Sequence, residues 1–392
     1  MDDPPIYISM PRGVNFGWGV CGIHLTLNLA DLVRVTYITD PFTLEDIGDS
    51  SQYERLSSLW RPVDDLPACR DLSETRCLDH PVLQAIEGKT LRPLYMKVKA
   101  PRVIGYTFFE TPFLDPDQVA WANDYYDVVA AGSTWCREVL ENQGVRNTAT
   151  VIQGVDPALF RHESRERTDH RDKFVVFSGG KLELRKGQDL VIRAFKVLQD
   201  RHEDVLLVNS WFNLWDASLM TMRFSPYITF YMPKGGYFHA VSRLMEVNGI
   251  DPQKVLTLPP LPHARMPEIY SNTDCGLFPN RCEGGTNLVL MEYMACGGAA
   301  IASMSSGHRD IITTDNSLPI TTLKAFTMKD REGRVIEQWD DPSLEEIVEK
   351  LEWAYHHRDD LKKIGRKAAQ SMEGYTWRKA AEEFHYLLTG DR

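Results

Sequence analysis

The chain has 392 residues, 43 % of them hydrophobic and 25 % charged, and carries a formal net charge of −11. That length exceeds one ordinary core and predicts two domains of roughly 150–200 residues each, with a globular composition and no apolar run near the roughly 20 residues that span a bilayer. The acidic balance excludes a protein that wraps a nucleic acid, so an anionic ligand needs a local cationic site; it does not exclude docking of one patch on a membrane surface.

Taken in chain order, the start "MDDPPIYISM" is acidic and lacks the basic and apolar regions of a signal peptide, which predicts a cytoplasmic protein. Seven cysteines without paired spacing fit reduced thiols better than a disulfide framework or a zinc site. Short apolar runs then alternate with segments of helical period, the pattern of a doubly wound parallel sheet. Strands are predicted at Ile6 to Ser9, Val33 to Thr39, Arg102 to Phe109, Asp127 to Ser133 and Ala149 to Val155. The segment "STWCREVLENQGV" reads as a helix capped by Ser133 and ended by Gly144. Arg161 to Lys173 is charged at nearly every position and serves as a linker. The pattern restarts with strands at Phe174 to Ser178, Asp204 to Ser210, Lys254 to Leu261, Asp274 to Asn280 and Ala299 to Ser303, and the tail is helical without strands. The predicted domains are 1–165 and 166–372, with 373–392 a last helix crossing back to the first. Ligands of open parallel sheets bind beyond the carboxyl ends of the strands, so chemistry is expected in the loops there.

Three such loops stand out. In "NRCEGGTNLVLMEYMACGG", a Gly-Gly turn separates a strand from a helix, and Glu283 and Glu292 lie on either side. Glu292 sits beside the apolar stripe of that helix, where an unpaired charge costs several kcal/mol, so it requires a hydrogen-bonding partner. The vicinal hydroxyls of a sugar are one candidate, and a salt bridge to a neighbouring helix is as good. Gly284, Gly285, Thr286 and Asn287 let backbone approach a ligand at a helix N-terminus, or simply form a turn. In "FSGGKLELRKGQDLVIRAF", Lys181, Arg185 and Lys186 supply the local positive site for a diphosphate, with solvated lysines as the plain alternative. Lys186 is followed by Gly, not Ser or Thr, so this is no P-loop. In "MPRGVNFGWGVCG", the Gly17-Trp18-Gly19 spacing in a loop after the first strand admits a phosphate or sugar near backbone. Asp115 and Asp117 have the spacing of a metal-binding pair but fall where a helix begins, and they are set aside, leaving no predicted metal site.

These segments, with "GVDPALF" before the linker, resemble retaining glycosyltransferases of the GT-B fold, specifically glycosyltransferase family four, over about Asn15 to Trp377. The family's second domain carries a G-R/K-L…K-G loop and an E-G-x-G/x-N-x-x-x-x-E-x-M-A-C-G motif, here "GGKLELRKG" and "EGGTNLVLMEYMACGG". The resemblance implies an α/β protein of two Rossmann-like domains facing a cleft, and a metal-independent hexosyl transfer from a UDP- or GDP-sugar that requires no cofactor. It implies that Lys181 and Lys186 bind the donor diphosphate, Glu292 the ribose hydroxyls, and Glu283 with Gly284 to Asn287 the donor sugar. Gly17 and Gly19 would lie over the phosphates, and the acceptor, a glycan, a lipid or a small molecule, would lie on the N-terminal side. Two departures stand out. Eight residues separate Glu283 from Glu292 where the family has seven, and "FFETPF" puts Glu110 where many members place a catalytic-side His. A nucleotide-sugar epimerase and a non-catalytic nucleotide-sugar binder are the rival readings, since fold alone does not separate them.

Overall fold

The computed structural model describes residues 5–62, 74–163, 167–213, 216–231, 235–330 and 332–390. Part of the predicted linker, 164–166, lies outside them, as does the acidic start, 1–4. The chain divides into two compact units: 1–154 with 284–288 and 375–392, and 155–283 with 289–374.

In the first unit β1 (Ile6–Ser9), α1 (Gly17–Ala30), β2 (Val35–Thr39), α2 (Leu44–Ile47), α3 (Ser50–Leu59), β3 (Trp60–Pro62), β4 (Thr75–Cys77), β5 (Val82–Ala85), β6 (Lys97–Lys99), β7 (Val103–Thr107), α4 (Pro116–Tyr125), β8 (Val128–Ala131), α5 (Thr134–Asn142) and β9 (Thr148–Thr150) follow one another. Seven of the strands form a sheet in the order β3-β2-β1-β5-β7-β8-β9, parallel throughout. Their apolar runs are buried on both faces, as parallel strands covered by helices must be. Ser133 caps α5 by accepting from the Cys136 N–H, and Gly144 takes a left-handed φ of +97° just past the helix, as the sequence predicts. Asp115 is the N-cap of α4, accepting from the Asp117 N–H at 2.8 Å.

The second unit holds β10 (Phe174–Gly180), α6 (Gln188–Arg201), β11 (Val205–Trp211), α7 (Asp216–Leu219), α8 (Tyr237–Val247), β12 (Val255–Thr257), α9 (Met266–Ser271), β13 (Cys275–Phe278), α10 (Leu288–Ala295), β14 (Ala300–Ser303), β15 (Leu318–Ile320), β16 (Leu323–Lys329), β17 (Val335–Pro342), α11 (Leu344–His356) and α12 (Arg358–Met372). Its parallel sheet runs β12-β11-β10-β13-β14-β15, and β16 and β17 form a separate antiparallel ribbon. The charged run belongs to this unit and is pinned to it. Arg167 donates to Asp274 at 2.7 Å, and the Thr168 and Asp169 N–H groups both donate to the Asn272 side chain. The last helix, α13 (Trp377–Thr389), packs in the first unit, where Trp377, Ala380, Ala381, Phe384 and Leu388 join the core of β1, β2 and α1.

Both sheets therefore read outward in two directions from their first strand. The order reverses between β1 and β5 in one unit and between β10 and β13 in the other. Such a switch point leaves a crevice at the carboxyl ends of the two central strands, which is where ligands of open α/β sheets bind.

The sequence places several strands correctly but two too long: Ala149 to Val155 is met only by β9, Thr148–Thr150, and Lys254 to Leu261 only by β12, Val255–Thr257. One loop also needs correction. Gly17 and Gly19 are not in the loop after β1 but in the first turn of α1. The reason lies in packing: a Cβ on Gly19 would stand 2.2 Å from the Gly13 carbonyl, so the helix starts tight against the loop and only glycine fits.

Candidate active site

The switch point of the second unit brings together groups that the sequence keeps about a hundred residues apart. Beyond β10 the chain turns through Gly180 (φ +109°) and Lys181 into a short turn, Leu184–Lys186, and reaches α6 through Gly187 at φ +74°. A Cβ on Gly187 would meet the Pro279 carbonyl at 2.1 Å, so this turn lies against the loop after β13. That close approach delivers Arg185 and Lys186 to Glu283. The Lys186 ammonium donates to Glu283 Oε1 at 2.6 Å, the Arg185 guanidinium lies 3.2 Å from Oε2, and Asn280 donates to Oε1 as well. Arg185 also holds Glu183 at 2.5 Å and the Cys282 carbonyl at 2.8 Å. The Glu283 N–H donates to Ser306 Oγ at 2.7 Å, and Ser306 has a left-handed φ of +44°, a conformation a non-glycine residue holds only where its surroundings impose it.

Charge and burial act against each other here. Burial pushes the Glu283 carboxyl up, but Lys186 first, then Arg185 and His308, pull it further the other way, to about 2. Burial lowers the Lys186 ammonium more than Glu283 raises it, leaving it below the ordinary lysine value. Burial also takes His308 down to about 4 against the pull of Glu283. Its Nδ1 lies 3.2 Å from the Ser303 carbonyl, which only accepts, so the neutral ring carries its proton on that nitrogen. Arg185, Lys186 and Lys181, the last through its pull on the Glu183 carboxyl, set three cations against Glu183 and Glu283 and leave the pocket one positive charge, suited to an anion that displaces the internal pairing. Lys181 is half-buried in this turn, and its carbonyl accepts from the Gln188 amide at 2.6 Å.

Beneath this layer Arg281 is fully buried. It donates to Asp189 at 2.8 and 2.9 Å, to the Leu184 carbonyl at 2.6 Å and to Asp341 of the ribbon at 2.7 Å. Asp189 accepts in turn from Ser225, and Asp341 from the Tyr227 hydroxyl, both at 2.6 Å. The loop after β13 is thus tied to α6 and to β17 by one satisfied ionic network.

Glu292, on α10, is 6 % exposed. Its partner is His263, whose Nε2 lies 2.8 Å from Oε1, with the Tyr270 hydroxyl donating to Oε2 at 3.3 Å. Burial pulls the His263 ring down, but Glu292 and then Asp156 raise it above the ordinary histidine value. A carboxylate has about four acceptor positions, so Glu292 keeps capacity for a ligand's hydroxyls beside these two contacts.

Gly284–Leu288 belongs to the first unit. There the Ser133 hydroxyl donates to the Gly284 carbonyl at 2.6 Å, and a Cβ on Gly284 would stand 2.5 Å from the Phe109 carbonyl, one on Gly285 2.4 Å from Gln153. The two glycines are therefore required by close packing. Asn287 turns into α10 at φ +64°. Glu110 is half-buried three residues past β7, also in the first unit. Sequence reasoning singled out Lys186, Glu283 and Glu292 but missed His263, Tyr270, Arg281, Asp189 and His308. A signal existed for Arg281, which follows an apolar strand and Pro279 inside a segment too greasy for a free charge.

Two Rossmann-like units of this construction define the class as the GT-B fold. Residues 235–337, which contain the Glu283 loop and α10, match the family model described as Glycosyl transferases group 1. The match marks the protein as a glycosyltransferase. Among solved structures, the Anabaena protein HepE, in complex with UDP, is similar over 100 % of both chains at 14 % identity and a TM-score of 0.65. Sucrose-phosphate synthase from Thermosynechococcus elongatus covers 98 % of each chain at 15 % identity and 0.63, and trehalose 6-phosphate synthase from Burkholderia multivorans covers 100 % of this chain and 99 % of its own at 12 % and 0.61. At such identities the likeness carries the fold alone. No curated protein matches the sequence. Among the described residues no helix is long and apolar enough to cross a membrane.

Proposed function

We propose that the protein moves a sugar from a nucleoside diphosphate sugar to an acceptor with retention of anomeric configuration and without a metal in the chemical step. The observation that carries this reading is the convergence of Arg185 and Lys186 on Glu283 at the switch point of the second unit, Glu283 itself lying within the matched residues 235–337. Lys181, Arg185 and Lys186 take the diphosphate, the charge growing on the leaving phosphate being met by preorganised cations. Glu292 takes the ribose hydroxyls, and Glu283 with the backbone of Gly284 to Asn287 the donor sugar. HepE has been seen with UDP and with UDP-glucose, which makes these the first donors to try. The acceptor, a glycan, lipid or small molecule, falls to the N-terminal half, with Glu110 as a polar contact.

With the leaving phosphate oxygen acting as the base, retention follows. The sugar C1–O bond to phosphate breaks, the acceptor oxygen bonds to C1 on the same face, and its proton passes to the departing phosphate oxygen. Asp115 and Asp117 do not offer a metal site in this reading, because Asp115 is engaged as a helix cap. The test is proton NMR of the first product formed from UDP-glucose in the presence of EDTA. An α-linked product with chelator present is the expected result. A β-linked product, or loss of activity that manganese or magnesium restores, overturns the reading.

A further inference from the structure

A second cluster lies at the far end of α6. That helix ends on His202, its C-cap, and α11 carries Glu352 and His356 one turn apart on one face. His202 Nε2 lies 2.8 Å from Glu352 Oε2, and one ligand atom from each of His202, Glu352 and His356 falls within 4.8 Å of the other two. The His202 ring is stacked on Tyr355, centroids 3.9 Å apart at 26°, which fixes its plane, and the His356 ring stands 5.8 Å away at 80°. Arg201 donates to Glu352 Oε1 at 2.9 Å.

We infer that His202, Glu352 and His356 form a binding site for Zn²⁺ that staples the C-terminal end of α6 to that of α11. Two imidazoles and one carboxylate are an open three-ligand zinc set, completed by water. Ligand atoms sharing a tetrahedral zinc at 2.0–2.1 Å lie about 3.3 Å apart, so the present contact between His202 and Glu352 opens only slightly as the ion replaces the shared proton. Arg201 keeps the other carboxylate oxygen and Tyr355 keeps the ring, the outer contacts that orient metal ligands. Magnesium and calcium are disfavoured because they demand all-oxygen shells. The 14-residue α6 is about 21 Å long, and Lys186 stands just before its start, so the ion takes no part in sugar transfer.

The test uses the full chain without an affinity tag, stripped by chelator and titrated with Zn²⁺ by calorimetry and with Co²⁺ by visible absorption. One equivalent is expected to bind, with the d–d bands of a low-symmetry cobalt site and a higher unfolding temperature with zinc. His356→Ala and Glu352→Gln are each expected to lower affinity by about tenfold or more while leaving the far-UV circular dichroism unchanged. His356 is exposed at the end of its helix, so its removal leaves the fold intact. No stoichiometric uptake, or uptake that both variants retain, overturns the proposal; the second result would assign the ion to others of the 11 histidines.

Discussion

Glu283 and Glu292 are both buried carboxylates, 5 % and 6 % exposed, yet their surroundings differ in kind. Glu283 faces two cations, whereas Glu292 faces a histidine and a tyrosine hydroxyl. Replacing Glu292 with Leu removes a charged acceptor from the proposed ribose contact and is expected to weaken UDP binding by about 1.5–3 kcal/mol in calorimetry; unchanged affinity in a folded variant removes the ribose assignment. Glu283 acts in the opposite sense on the nucleotide, because in the ligand-free protein it neutralises Lys186 and Arg185. Glu283→Gln is therefore expected to hold or strengthen UDP affinity while lowering transfer about 100-fold or more, whereas Lys186→Ala lowers both. Parallel losses in the two variants would contradict these roles. His308 adds a pH dependence. The unfolded chain takes up its proton near the ordinary histidine value of 6.5 and the folded ring only near 4, so the folded state binds fewer protons between these values. Stability is full above pH 6.5 and declines as pH falls towards 4, by at most about 3 kcal/mol for a shift of this size. Glu283 adds a further loss between its ordinary value of 4.5 and about 2. Urea unfolding of a His308→Asn variant is expected to show a flatter slope between pH 6.5 and 4; an identical slope would assign the acid sensitivity elsewhere.

Which elements could be read in advance follows from where their partners lie. Strands β1, β2, β7, β8, β10, β11, β13 and β14 announce themselves as apolar runs, and α10 was legible because its apolar stripe, its two glycines and its buried acid are all local. The short strands β3, β5 and β15 have too few residues for a period to show. The ribbon β16–β17 does alternate, but its strands are antiparallel and fall outside the repeating strand–helix pattern. Phe326 and Trp339 stack across it, ring planes 7° apart, and Arg281 lies over Phe326 at 5.1 Å. The contacts that assemble the site are long-range: Glu292 to His263, and Arg281 to Asp189 and Asp341, separations of 29, 92 and 60 residues that no periodicity reports. The Arg281 network also makes an energetic claim. Removing Asp189 strips Arg281 of its two bonds to that carboxylate and leaves Asp341 as its one counter-charge, so Asp189→Ala is expected to cost about 3 kcal/mol in denaturant unfolding, the low end for a broken buried pair. An apolar replacement of the whole triad, Asp189→Leu with Arg281→Met and Asp341→Leu, is expected to recover much of it. A cost below about 1 kcal/mol for the single variant would mean that water reaches Arg281.

The first unit is assembled from three pieces of chain, and its stability depends on the last of them. Residues 1–154 supply the sheet, but α13 supplies Trp377, Phe384 and Leu388 to the same core, each no more than 3 % exposed. The fit leaves no slack: a Cβ on Gly154 would stand 2.1 Å from the Trp377 nitrogen, so the returning helix begins directly on the end of the first piece. Burying three large side chains contributes about 1.5–3 kcal/mol apiece, a sum comparable with the 5–15 kcal/mol by which whole domains are stable. Without α13 the α1 face and the β1 and β2 side chains beneath it would also meet water. A fragment of residues 1–154 is therefore expected to show no cooperative thermal transition, and joining 375–392 to it through a flexible linker is expected to restore one. Within the intact protein, Phe384→Ala is expected to cost about 3–5 kcal/mol, the usual range for an aromatic removed from a close-packed core. Cooperative unfolding of residues 1–154 alone would show that the unit closes its core without the helix, and that α13 serves some end other than stability.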